Sequence, residues 1–161
     1  MRSRWTYAAA ALIALVSSNG ASAKQATQKA AFGDWAKQCE SAPGGGERCY
    51  LIQTVKADDQ PVMVVIVAYS PQRDRIAAMI DVPLGMHIPS GLDVRSEGID
   101  KHIDFEQCLP TGCRAMLPMD DDLIAALKKG MATEIAGKGR NGADVALPIS
   151  PQGFSEAFEA L

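Results

Sequence analysis

Between Ile99 and Gly130, strict alternation, a close cysteine pair and a capped short helix follow one another without a gap, and few folds accommodate that order. Ile99, Lys101, Ile103 and Phe105 share one face of an extended chain, with Asp100, His102, Asp104 and Glu106 on the other, which is the pattern of a half-buried strand. Cys108 and Cys113 then bracket Leu109-Pro110-Thr111-Gly112, a turn composition, and Arg114 to Leu117 reads as the returning strand. The segment predicts a hairpin with a sulfur clasp at its tip.

The start of the chain has a different character. Arg2 and Arg4 precede an apolar run from Ala8 to Val16, and Ala21-Ser22-Ala23 supplies small residues for cleavage, so residues 1–23 are expected to be a secretory signal peptide. The run is too short to span a bilayer, and no later segment reaches about 18 consecutive apolar residues, so no permanent membrane span is expected. Lys24 stands where a lipoprotein would carry cysteine. Residues 24–31 read as a flexible lead-in, and residues 32–161 as a single domain. The formal net charge is −3, and losing two arginines with the leader makes it more acidic, which argues against nucleic acid as a partner.

All four cysteines follow the leader, and an even number in an oxidising compartment reads as disulfides. Cys39 with Cys49 and Cys108 with Cys113 is the favoured pairing, because each pair flanks its own turn. A zinc site would be spaced C-x9-C and C-x4-C, unlike a zinc ribbon, and the C-x-x-C of a thiol oxidoreductase is absent.

Strands are expected from Trp35 to Cys39 and from Cys49 to Val55, around a flexible turn at Ser41–Glu47. Its three glycines are not followed by the Lys-Ser/Thr that a phosphate loop requires. Val62 to Tyr69 is nearly pure apolar and suits a central strand covered on both sides. Arg75–Val82 and Leu92–Val94 supply further strands, separated by a Pro- and Gly-rich stretch. Asp120-Asp121-Asp122 before Leu123, with Lys128, Lys129 and Gly130 at the far end, describes a short capped helix rather than an EF-hand loop. Met131–Ala136 and Val145–Ile149 read as strands. Ser150 is expected to cap a last helix, with Pro151 at its first position and Phe154, Phe158 and Leu161 on its buried stripe. Eight to ten short strands indicate an all-β sandwich or barrel.

Candidate chemistry is sparse. Asp100, His102 and Asp104 fall on one strand face, where carboxylates would raise the histidine pKa and could hold a metal, but a solvent-facing strand surface is the favoured reading because the opposite face carries the apolar set. His87 lies near Ser90, but the G-x-S-x-G elbow of a hydrolase is missing. Met63, Met79, Met116 and Met119 read as core filler.

Taken in order, these residues resemble a known family. Phe32-Gly33-Asp34-Trp35, Cys39, Cys49 and Gln53, then Pro89-Ser90-Gly91-Leu92, Phe105, Cys108 and Gly112-Cys113, then Asp122-Leu123, Gly130, Gly153-Phe154 and Leu161 resemble the bacterial invasion-associated locus B proteins. The resemblance implies an exported, immunoglobulin-like β-sandwich, and the family's name comes from a link to host-cell entry. It brings no catalytic residues, cofactor or metal. The expectation is therefore a non-enzymatic interaction protein of the bacterial envelope, periplasmic, outer-membrane associated or secreted, whose partner is a protein or an envelope component. The alternative is a small hydrolase or metal-dependent periplasmic enzyme that uses His102 or His87.

Overall fold

The computed structural model of the chain describes residues 28–42 and 44–161. The expected signal peptide at residues 1–23 and the first part of the lead-in lie outside them. Among the described residues, eleven antiparallel strands form two sheets. The strands are β1 (Gln28–Phe32), β2 (Trp35–Ser41), β3 (Glu47–Ala57), β4 (Gln60–Tyr69), β5 (Ile76–Val82), β6 (Leu92–Ser96), β7 (Ile99–Ile103), β8 (Phe105–Leu109), β9 (Gly112–Pro118), β10 (Thr133–Lys138) and β11 (Asp144–Ile149). Helices α1 (Asp121–Lys128) and α2 (Phe154–Glu159) complete the fold, with one 3-10 turn at Ile88–Ser90.

The larger sheet has the order β1-β2-β3-β4-β5-β9-β8 and the smaller β11-β10-β6-β7. Alternate residues of both sheets meet between the layers. Val65, Val67, Ile80 and Leu117 come from the larger sheet, and Leu92, Val94, Ile103 and Ile135 from the smaller. The two-layer, all-β architecture is thus the one expected. Its likeness to immunoglobulins lies in the two packed sheets, since the larger layer begins as a five-strand meander.

Both disulfides form with the expected pairing and leave no free cysteine. Cys39 stands opposite Cys49 and Cys108 opposite Cys113 in their ladders, each pair with Cα atoms 4.0 Å apart. Each sulfur bridge therefore fixes the register of one hairpin.

Several expectations need correction. The strand expected from Ile99 to Glu106 breaks at Asp104, so that β7 belongs to the smaller sheet and β8 to the larger. Ile103 and Phe105 both pack into the core, and alternation continues across the change of sheet without marking it. The lead-in is shorter than expected, because Gln28–Ala31 already pair with β2. Residues 29–31 are exposed on both faces of an edge strand, so burial imposed no period there. Covering of β4 is one-sided: Met63, Val65 and Val67 are buried, whereas Val64, Ile66 and Ala68 remain partly open on the outer face. Finally, α1 is capped by Asp120, whose Oδ1 accepts from the Leu123 amide at 3.1 Å, but Ser150 caps no helix. Gly153 precedes α2 instead, in the left-handed region at φ 81°.

Ser150 has a different use. Its carbonyl accepts from Trp35 Nε1 at 2.7 Å and Gln53 Nε2 at 3.0 Å, and its amide donates to Gln53 Oε1 at 2.9 Å. Gln53 is buried, so these bonds form in a dry environment where losing one leaves a bare polar group. The Asp34 amide donates to the Gln152 carbonyl at 3.1 Å, and the Phe154 ring meets Trp35 edge-on at 5.1 Å. The end of the chain is thereby clamped onto the β1–β2 turn. At Gly153 an added Cβ would fall on the Phe32 carbonyl, in a backbone conformation that L side chains already avoid. Gly153→Ala is expected to destabilise the fold by roughly 2 kcal/mol or more, read as a lower urea midpoint. An unchanged midpoint would show that the clamp yields freely.

Candidate functional site

Three places carry features that a function could use, and two of them contain the histidines singled out from the sequence. His102 lies on β7 directly across from Asp93 of β6, on the outer face of the smaller sheet. Its Nδ1 donates to Asp93 Oδ1 at 2.8 Å, while Nε2 is 3.6 Å from Asp104, beyond hydrogen-bonding range. Asp100, expected beside it, stands opposite Arg95 instead, and Arg95 donates to Asp93 Oδ2 at 3.0 Å. Sequence spacing along one strand could not reveal Asp93, the actual partner, because cross-strand register is set by the fold.

The Asp93 hydrogen bond is the main cause raising the His102 pKa above its ordinary 6.5, against a smaller opposing effect of desolvation, with the charges of Asp93 and Asp104 adding to it. The same bond lowers the Asp93 pKa. A raised histidine contributes stability below its unfolded pKa and loses it as pH rises through the folded value. A depressed carboxylate contributes above its unfolded pKa and loses it as pH falls. The pair is therefore strongest between about pH 4 and pH 6.5. In an NMR titration, Asp93→Asn is expected to bring His102 back toward its ordinary pKa. An unmoved midpoint would remove Asp93 as the cause.

The second place is the loop between β5 and β6. Pro89 within the 3-10 turn folds Ser90 back, so that its Oγ lies 2.6 Å from His87 Nδ1. The structure thus brings together the two residues a hydrolase reading would need. No carboxylate is hydrogen-bonded to the other ring nitrogen among the described residues, and His87 is exposed. The contact is a local one, between residues three apart in a turn.

Metal ligation finds little support in the donor sets. Among the described residues, one group of three potential ligand atoms lies within 4.8 Å, formed by Cys39, Glu47 and Cys49. Both sulfurs are in a disulfide and offer no thiolate.

The third place was not foreseen. Met63 and Met119 are buried as expected, but Met79 and Met116 are not core filler, for they project from the outer face of the larger sheet. Register puts Ala36, Ile52, Ile66, Met79 and Met116 in one row across five strands. Beside that row Ala68, Ala77 and Pro118 form a second one, lower because its side chains are short. The step between them floors an open groove of about 670 Å³, walled by the loop from Tyr69 to Ile76 and by the start of α1. Asp74, Asp120 and Asp121 stand at its rim with a single cation, Arg75. An apolar signal existed in the sequence, since Ile66, Met79 and Met116 alternate out of phase with the core set. On Val62–Tyr69 that signal reads as a strand covered on both sides, and at Met79 and Met116 as core filler, because a covering layer and an open groove give the same pattern.

Comparison with known proteins places this arrangement. The family model described as invasion associated locus B (IalB) protein matches residues 35–161. The chain belongs to the IalB family. Two invasion protein B homologs of Brucella abortus, from strain 2308 and from biovar 1 strain 9-941, are each 23% identical over 144 residues, spanning 88% of this chain and 81% of the relative. The crystal structure of invasion associated protein B from Bartonella henselae superposes with a TM-score of 0.73 at 19% identity, covering 83% of this chain and 93% of that one. An IalB fold is thus shared at low identity.

Proposed function

We propose that this IalB-family chain is a non-enzymatic, exported interaction protein of the bacterial envelope, and that it acts through its outer surface on a protein or envelope component. The apolar row from Ile52 to Met116, which the described residues leave half-open, carries the reading, since a contiguous apolar face of this kind on a chain with a well-formed core marks a contact surface. Two disulfides fit an oxidising compartment, and no helix among the described residues is long and apolar enough to cross a membrane. Export would remove residues 1–23, and N-terminal sequencing of the native protein is expected to begin at Lys24. A link to host-cell entry rests on the names of the relatives alone, and a partner on the host side is one form that this role could take.

Cross-linking in intact envelopes, followed by mass spectrometry, is expected to recover a specific partner at physiological salt. Recovery of the uncrosslinked protein alone would contradict the reading. The contact between His87 and Ser90 supports a second reading, a small hydrolase, and gives it a direct test. A fluorophosphonate probe is expected to leave Ser90 unlabelled, and stoichiometric labelling lost in Ser90→Ala would establish the enzyme instead.

A further inference from the structure

We propose that the groove on the outer face of the larger sheet receives a cationic amphipathic helix, laid across β4, β5 and β9 rather than paired to a strand edge. This rests on the reading of the chain as an interaction protein and specifies its partner's chemistry. Ala68, Ala77 and Pro118 form the groove floor on those three strands, which pair with one another there, so a segment laid on the face of the floor meets side chains and not free backbone groups. Two strand spacings cover about 10 Å. Two turns of helix rise by about 11 Å, so anchors at i, i+3 or i+4 and i+7 reach from one end of the floor to the other.

Composition of the walls selects the anchors. Met79, Met116 and Ile66 give a long-chained apolar wall, and unbranched methionine adapts to differently shaped apolar side chains. Charge at the rim selects the flanks. Asp120 is ion-paired with Lys101, Asp74 lies 3.8 Å from Arg75, and Arg73 is drawn over the Tyr69 ring at 4.6 Å. Asp121 lines the groove and forms no ion pair among the described residues, so the three lining carboxylates outnumber the one lining cation, Arg75. A second copy of the chain would bring this acidic rim against its own image, in a protein that is acidic overall. A partner with lysine or arginine beside its apolar stripe would neutralise it.

The test uses two fluorescein-labelled 14-residue helical peptides of identical leucine pattern, one with lysine and one with glutamate at every polar position, read by anisotropy against the exported protein. The lysine peptide is expected to bind at least tenfold more tightly than the glutamate peptide. Met79→Lys, at a half-buried position on the outer face of β5 where circular dichroism checks folding, is expected to weaken it at least tenfold, and Asp121→Lys by a smaller factor. Equal binding of both peptides overturns the charge argument. Equal binding to wild type and Met79→Lys overturns the groove. A dimer by light scattering that Met79→Lys converts to monomer makes a second copy the occupant and overturns the proposal. In envelopes, an unchanged cross-linked partner in Met79→Lys rejects the groove while the interaction reading stands; absence of any partner with wild type rejects that reading, whatever the peptides do.

Discussion

Loss of both disulfides is expected to destabilise the protein by about 5 kcal/mol, near the lower end of the whole stability of a domain this size. Cys39–Cys49 closes a separation of 10 residues and Cys108–Cys113 one of 5, for which chain entropy gives about 3 and about 2 kcal/mol respectively. The bridges lie in different hairpins of the larger sheet, so their contributions should add. Urea unfolding of wild type, Cys39→Ala/Cys49→Ala, Cys108→Ala/Cys113→Ala and the fourfold variant measures this directly. The ordering of the two pairs is part of the expectation. A fourfold variant as stable as wild type would mean that hydrogen bonding and core packing alone hold the hairpins in register.

The second large effect belongs to Trp35. It is 1% exposed, its ring meets Phe154 edge-on, and its indole N–H is used by Ser150. Truncation to alanine removes the bulk between the larger sheet and α2, with an expected cost of about 3–5 kcal/mol. Trp35→Phe keeps most of the volume and drops one donor. Ser150 still accepts from Gln53, so this milder change should cost about 1 kcal/mol. Calorimetry on both variants separates packing from hydrogen bonding. Equal losses would place the whole contribution in the N–H bond.

Trp35 also shows what kind of information the sequence carried. Gly33, Asp34, Trp35, Gln53, Gly153 and Phe154 are among the residues that resemble the IalB family, and the structure gathers them at the clamp between the β1–β2 turn and the last helix. Those motifs describe how the scaffold closes, not a reacting centre. The disulfide pairs were legible because each closes a local turn, and α1 because its cap and charges are local too. Long-range features were not. Alternation through Asp104 hid a change of sheet, the partner of His102 depended on which strand lay beside it, and the outer groove depended on no element among the described residues covering the outer face of β4. Each needs knowledge of a neighbour distant in sequence, which periodicity does not contain.

The central claim is that the outer face of the larger sheet, and not the His87–Ser90 loop, meets the partner. A photoreactive amino acid placed at Met79 in one strain and at His87 in another, irradiated in intact envelopes, compares the two surfaces in the native setting. A discrete adduct is expected from position 79 and none from position 87. An adduct from position 87 alone would move the function to the loop and contradict the account.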